Sequence, residues 1–109
     1  MAVHRRTADY WQAITGCPIA QGYGLSETSP VVCVNSPLET HFTGHIGPPM
    51  PSTDVIILDD DEVQLPDGTP GEICIKGPQV MAGYWNKPEE TAHCMTADGY
   101  FKSGDIGFI

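Results

Sequence analysis

The sequence predicts an α+β fold that is mostly β, and three observations carry this expectation. Twelve glycines and ten prolines in 109 residues break the chain too often for a helical bundle and suit short strands joined by turns. From Asp54 onward, β-prone stretches alternate with turn signals in the manner of a meander. A sustained helical spacing of apolar residues occurs at the start of the chain, in a single stretch. The length bounds the chain to one domain or one piece of one, and a hydrophobic content of 40% places it among globular proteins.

The elements follow in order. Residues 2 to 15 set Val3, Ala8, Trp11 and Ile14 at helical spacing with Arg5, Arg6, Asp9 and Gln12 between them, and Gly16 supplies a stop. An amphipathic helix lying on a sheet is expected there. Residues 17 to 21 are short, apolar and β-compatible, which predicts a strand delivering the glycine-rich turn at Gly22 and Gly24. Val31 to Val34 reads as a strand and residues 35 to 52 as a loop rich in proline and glycine. Val55 to Leu58, Glu62 to Leu65 and Gly71 to Lys76 read as successive strands, the last with alternating apolar positions. The acidic run Asp59 to Glu62 and the triplet Pro66-Asp67-Gly68 supply the turns. Pro88 with Glu89 and Glu90 opens a short helix whose first-turn acids suit the helix dipole. Asp98-Gly99 then turns into a final strand from Tyr100 to Ile109.

Charge and cysteine usage narrow the function. Five Lys+Arg against fourteen Asp+Glu leave a net charge of −9, which repels nucleic-acid backbones and anionic surfaces, so no nucleic-acid partner is expected. Four cysteines without a close pair, and no apolar leader, point to a reduced cytoplasmic setting. No apolar run approaches the ~20 residues that cross a bilayer.

Three stretches carry chemistry. Gln21-Gly22-Tyr23-Gly24-Leu25-Ser26-Glu27 offers an aromatic face, glycines, a hydroxyl and a carboxylate within a few residues, the inventory of a nucleotide and metal site. Gly71-Glu72-Ile73-Cys74-Ile75-Lys76-Gly77 follows, with Gly83-Tyr84-Trp85 behind it. Phe101-Lys102-Ser103-Gly104-Asp105 ends in a carboxylate suited to accept two adjacent ribose hydroxyls.

In this order the three stretches resemble the adenylate-forming superfamily of acyl-CoA synthetases, adenylation domains and luciferases, and most closely the bacterial long-chain fatty acid-CoA ligases. The resemblance implies a part of the large N-terminal domain, including its distorted antiparallel β-barrel subdomain. Residues 1 to 44 would supply the helix, strand and adenine- and magnesium-binding loop, and residues 45 to 109 the barrel-like segment. It implies that Tyr23 lies against adenine, with Gly22 and Gly24 in the same loop. Ser26, where the family more often has threonine, would hydrogen-bond the α-phosphate, Glu27 would hold magnesium, and Asp105 would bind the ribose. Glu27 and Ser26 are the candidate catalytic residues. Asp98 to Gly107 resembles the fatty acyl signature, with Tyr100 in place of tryptophan and Ser103 in place of threonine.

The implied reaction joins a fatty acid to coenzyme A with ATP, through acyl-AMP, giving AMP and pyrophosphate. An aryl or amino acid adenylation domain shares these motifs, and a non-enzymatic β-rich binding module is the rival outside enzymology. The upstream phosphate loop, the downstream hinge acid and the C-terminal lysine of such enzymes are not in this sequence. An internal fragment, silent in catalysis by itself and prone to self-association through an unpaired strand edge, is therefore expected, from a parent compatible with peripheral membrane contact.

Other residues read more plainly. His41 and His45 stand four apart, but Thr43, Gly44 and the prolines beyond favour loop histidines over a metal pair. The acidic run at 59 to 62 lacks the register of a calcium loop and reads as a solvated hairpin tip. Cys33 and Cys94 read as buried or inert thiols, Glu72 as a partner in a structural ion pair or hydrogen bond, and Tyr84 and Trp85 as packing anchors.

Overall fold

The computed structural model describes residues 3–109, so position 2 of the expected first helix lies outside the described residues. The element order is α1 (Arg5–Thr15), β1 (Gly22–Gly24), a 3-10 turn (Ser26–Thr28), β2 (Val31–Val34), β3 (Asp54–Leu58), β4 (Gly71–Lys76), α2 (Pro88–His93) and β5 (Phe101–Gly107). β1 pairs antiparallel with β2, and β3, β4 and β5 form a separate antiparallel sheet with β4 in the middle. The fold is α+β and mostly β, as the turn-rich composition implies.

The larger sheet holds the core. Val55, Ile57, Ile73, Ile75 and Phe101 share one face by register, since Ile75 stands opposite both Val55 and Phe101, and Ile73 opposite Ile57. Val32 and Cys33 of β2 close over this face, so the buried cluster joins the two sheets. β4 was expected to alternate, yet Ile73, Cys74 and Ile75 are all buried. A central strand covered on both sides needs no polar face. The side that carries Cys74 also carries the ion pair of Lys102 with Glu62 at 2.8 Å.

Three expectations are corrected. Residues 17–21 form no strand: Gly16 ends α1 in the left-handed region (φ 72°), Pro18 has no N–H to donate, and pairing with β2 begins only at Gly22. The glycine motif is thus itself strand and turn, instead of following a strand. Glu62 to Leu65 is not a full strand. Asp59 Oδ1 accepts the N–H groups of Asp61 and Val63, both at 2.9 Å, and this tight turn leaves an isolated bridge between Leu58 and Gln64. Finally, α1 does not lie on a sheet. It buries Ala8 alone, leaves Trp11 50% and Ile14 65% exposed, and rests on the following loop through Gln12 Nε2 to the Thr40 carbonyl at 3.1 Å.

Candidate nucleotide-binding site

Asp105 is presented by a bulge. Glu72 stands opposite Ile106 and Cys74 opposite Lys102, so Ser103, Gly104 and Asp105 together face the single residue Ile73. Three residues cannot lie flat against one, and the extra length is thrown outward. Gly104 adopts the left-handed conformation the bend requires (φ 76°), and Glu72 Oε1 accepts its N–H at 2.9 Å. The Asp105 N–H donates to Ser103 Oγ at 3.1 Å. Glu72 has the structural role its position suggests, fixing the backbone next to the candidate ribose acceptor.

Tyr23 arrives from the other sheet. Its hydroxyl donates to Asp105 Oδ2 at 2.7 Å across 82 residues of sequence. Burial pushes the phenol well above its ordinary pKa, and the neighbouring Asp105 carboxylate pushes it further while the Ser103 hydroxyl opposes, so Tyr23 is a proton donor at neutral pH. Gly22 and Gly24 flank it on β1. At Gly24 a side chain would run into the Pro30 carbonyl, so this glycine is required by its own partner strand.

The 3-10 turn sets the next two candidates. Leu25 and Thr28 hold it: the fully buried Thr28 hydroxyl accepts the Leu25 N–H at 3.0 Å and donates to the Pro30 carbonyl at 2.6 Å. No motif singles out Thr28, whose one signal in the sequence is its place directly after Glu27. Ser26 stands exposed at the head of the turn. Glu27 is half-buried, and its Oε1 accepts the Tyr84 hydroxyl at 2.9 Å while its carbonyl accepts the Met81 N–H at 2.8 Å. That hydrogen bond to Glu27 is the main cause of a raised Tyr84 pKa. Tyr84 is therefore more than a packing anchor, and Trp85, 89% exposed, is not one within this chain.

The donor set tells which metal these residues suit. Among the described residues no three His, Cys, Asp or Glu side chains converge as a metal site. A single carboxylate suits magnesium, which keeps waters and substrate phosphates as its other ligands, and does not suit zinc or calcium, which need several protein groups. His41 and His45 are exposed loop residues. A concavity is lined by Glu27's partner Tyr84 together with Lys87, Thr91 and Met95, whereas in the Tyr23–Asp105 pair Tyr23 is partly buried and Asp105 exposed.

The structure thus brings an aromatic hydroxyl and a bulge-borne carboxylate together, beside a glycine strand and a serine–glutamate turn. Residues 1–85 match the AMP-binding enzyme family, and the chain belongs to that family. It is 43% identical over 109 residues to a long-chain-fatty-acid–CoA ligase of Escherichia coli and 46% identical over 102 residues to one of Bacillus subtilis. These alignments cover 100% and 91% of this chain but 19% and 18% of the relatives, so the chain spans about a fifth of their length. In structure it superposes on apo MatB from Rhodopseudomonas palustris with a TM-score of 0.93 at 34% identity, over 100% of this chain and 22% of that one. A long-chain-fatty-acid-CoA ligase from Archaeoglobus fulgidus gives 0.88 at 27% identity, over 100% of this chain and 24% of that one. The fold is thus that of part of the N-terminal domain of adenylate-forming enzymes.

Proposed function

We propose that this chain is the adenine-, ribose- and magnesium-facing part of a fatty acid–CoA ligase. The observation that carries the reading is the 2.7 Å bond from Tyr23 to Asp105, which joins the two motif stretches furthest apart in sequence at one point. Tyr23 offers adenine an aromatic face while its hydroxyl holds Asp105, whose carboxylate accepts the ribose hydroxyls. Gly22 and Gly24 keep the strand edge beside them clear of side chains. Ser26 donates to the α-phosphate and Glu27 holds magnesium, which when bound neutralises phosphate charge. In the overall reaction the fatty acid carboxylate attacks the α-phosphorus of ATP, pyrophosphate leaves, and the coenzyme A thiol then takes the acyl group from AMP.

Residues 1 to 44 bring the nucleotide loop and residues 45 to 109 the barrel-like segment, although Val32 and Cys33 pack into the same core as the second part. Among the described residues no helix is long and apolar enough to cross a membrane. We place the protein in the cytoplasm, with any membrane contact peripheral. The chain by itself lacks most of the groups that converge on the α-phosphate, and residues acting as a unit lose activity together. It is therefore silent in catalysis, and its open strand edges and exposed α1 face drive self-association, which sedimentation of the purified chain reads as oligomers; a monodisperse monomer contradicts this.

ATP–pyrophosphate exchange by the full-length protein, offered a panel of carboxylic acids, tests the reading. Exchange with dodecanoate or palmitate supports it. Preference for benzoate, acetate or an amino acid moves the protein to another adenylate-forming activity, and no exchange with any acid removes the enzymatic reading.

A further inference from the structure

The loop after β4 does a job that neither the motifs nor the family match assigns to it. It ties to β2 at one point and to the nucleotide turn at two. Gln79 Nε2 donates to the Val31 carbonyl at 3.2 Å, the Met81 N–H to the Glu27 carbonyl at 2.8 Å, and the Tyr84 hydroxyl to Glu27 Oε1 at 2.9 Å. Glu27 is thus held both at its backbone and at its carboxylate by residues more than fifty positions downstream.

The loop is itself anchored. The Tyr84 N–H donates to Thr91 Oγ1 at 2.9 Å, and that hydroxyl donates to the Lys87 carbonyl at 2.8 Å, which fixes the loop to the start of α2. A side chain at Gly83 would lie 2.7 Å from Thr91 Cγ2, so the backbone here is packed directly against Thr91. Tyr84 is 39% exposed, so apolar burial alone does not account for an aromatic residue at this point. Its hydroxyl does account for it. The neighbouring Trp85, far more exposed, has no such tie among the described residues.

We propose that Tyr84 is the positioning residue for Glu27: its hydroxyl engages Oε1 and so orients the carboxylate that would hold the cation accompanying ATP. This rests on the ligase reading above. A carboxylate without a partner rotates among several conformers, and a magnesium ion that keeps most of its waters depends on the few protein oxygens it meets being correctly placed. Partners that orient a metal-binding side chain commonly contribute 10- to 100-fold to metal affinity or activity.

The test uses the full-length ligase with Mn2+ as the probe and a non-hydrolysable ATP analogue bound. Paramagnetic resonance reads Mn2+ affinity, and exchange kinetics are measured separately. Tyr84→Phe keeps the ring and removes the hydroxyl. It is expected to weaken Mn2+ about tenfold, to lower kcat by a similar factor, and to leave KM for ATP within about twofold and the thermal midpoint unchanged. In a Glu27→Gln background the same change should add nothing, because the two residues then act through one contact. Trp85→Ala should leave all these quantities unaltered. Unchanged Mn2+ affinity in Tyr84→Phe, additive losses in the double variant, or an equal loss in Trp85→Ala overturns the proposal. Absence of nucleotide-dependent Mn2+ binding in the unmodified protein overturns the ligase reading itself, and is told apart by that control.

Discussion

The sheet of β3, β4 and β5 and the segment from Val3 to Gln21 use apolar residues in opposite ways. In the sheet, Ile73, Cys74, Ile75 and Phe101 are buried and each strand has a laddered neighbour. In the N-terminal segment, Tyr10, Trp11 and Ile14 face outward and residues 17–21 have no ladder at all. Periodicity shows that a segment has an apolar face but not what covers it. The stability of the chain therefore resides in the sheet, and the sheet in turn fixes Asp105 through its bulge.

The largest expected effect sharpens this contrast. Ile75→Ala removes a side chain with no exposed surface at the centre of β4 and should cost about 2–5 kcal/mol, whereas Trp11→Ala should change stability by no more than about 0.5 kcal/mol. Urea titration of the two variants checks it. Similar losses would show that α1 is as much a part of the cooperative unit as the sheet.

Alkaline pH probes the reverse face of the same strand. Burial, aided by Glu72, raises the Cys74 thiol from 9.0 to about 11. The folded state then holds a proton the unfolded chain releases, so stability is intact below pH 9 and falls as pH rises from 9 through 11. The loss reaches roughly 3 kcal/mol. Cys74→Ala should flatten that part of the unfolding free energy against pH, while Cys17→Ala, at an exposed site, should not.

A smaller effect is expected at the junction of the two sheets. Tyr23→Phe removes one hydrogen bond to a carboxylate, on the order of 1.5 kcal/mol, and should weaken ATP binding to the full-length protein about tenfold. Calorimetric titration with ATP decides it, and unaltered affinity would mean that Asp105 needs no help from Tyr23.

Much of this architecture was legible in the residues. β2, β3, β4 and the start of α2 lie where β-branched runs and Pro88 place them, because local propensity and burial agree there. The strand expected at 17–21 failed because apolar character cannot supply a pairing partner. The short tie at 62–65 failed because the Asp59 side chain captured the backbone in a turn. The motif residues themselves could be named from the sequence, but their connections could not. Gly104 inside a strand was a signal for the bulge that aims Asp105. The hydroxyls of Tyr23 and Tyr84 reach carboxylates 82 and 57 positions away, and no local pattern encodes such a pairing.

The roles of the two carboxylates give the most direct test of the account, by steady-state kinetics of acid-dependent ATP–pyrophosphate exchange in the full-length protein. Glu27→Gln should lower kcat by about tenfold or more with little change in KM for ATP, because a metal ligand matters most where phosphate charge shifts in the transition state. Asp105→Ala should instead raise KM for ATP about tenfold with kcat nearly preserved, since ribose contacts hold in ground and transition states alike. Indistinguishable kinetic profiles for the two variants would contradict the assignment of Glu27 to the metal and Asp105 to the ribose.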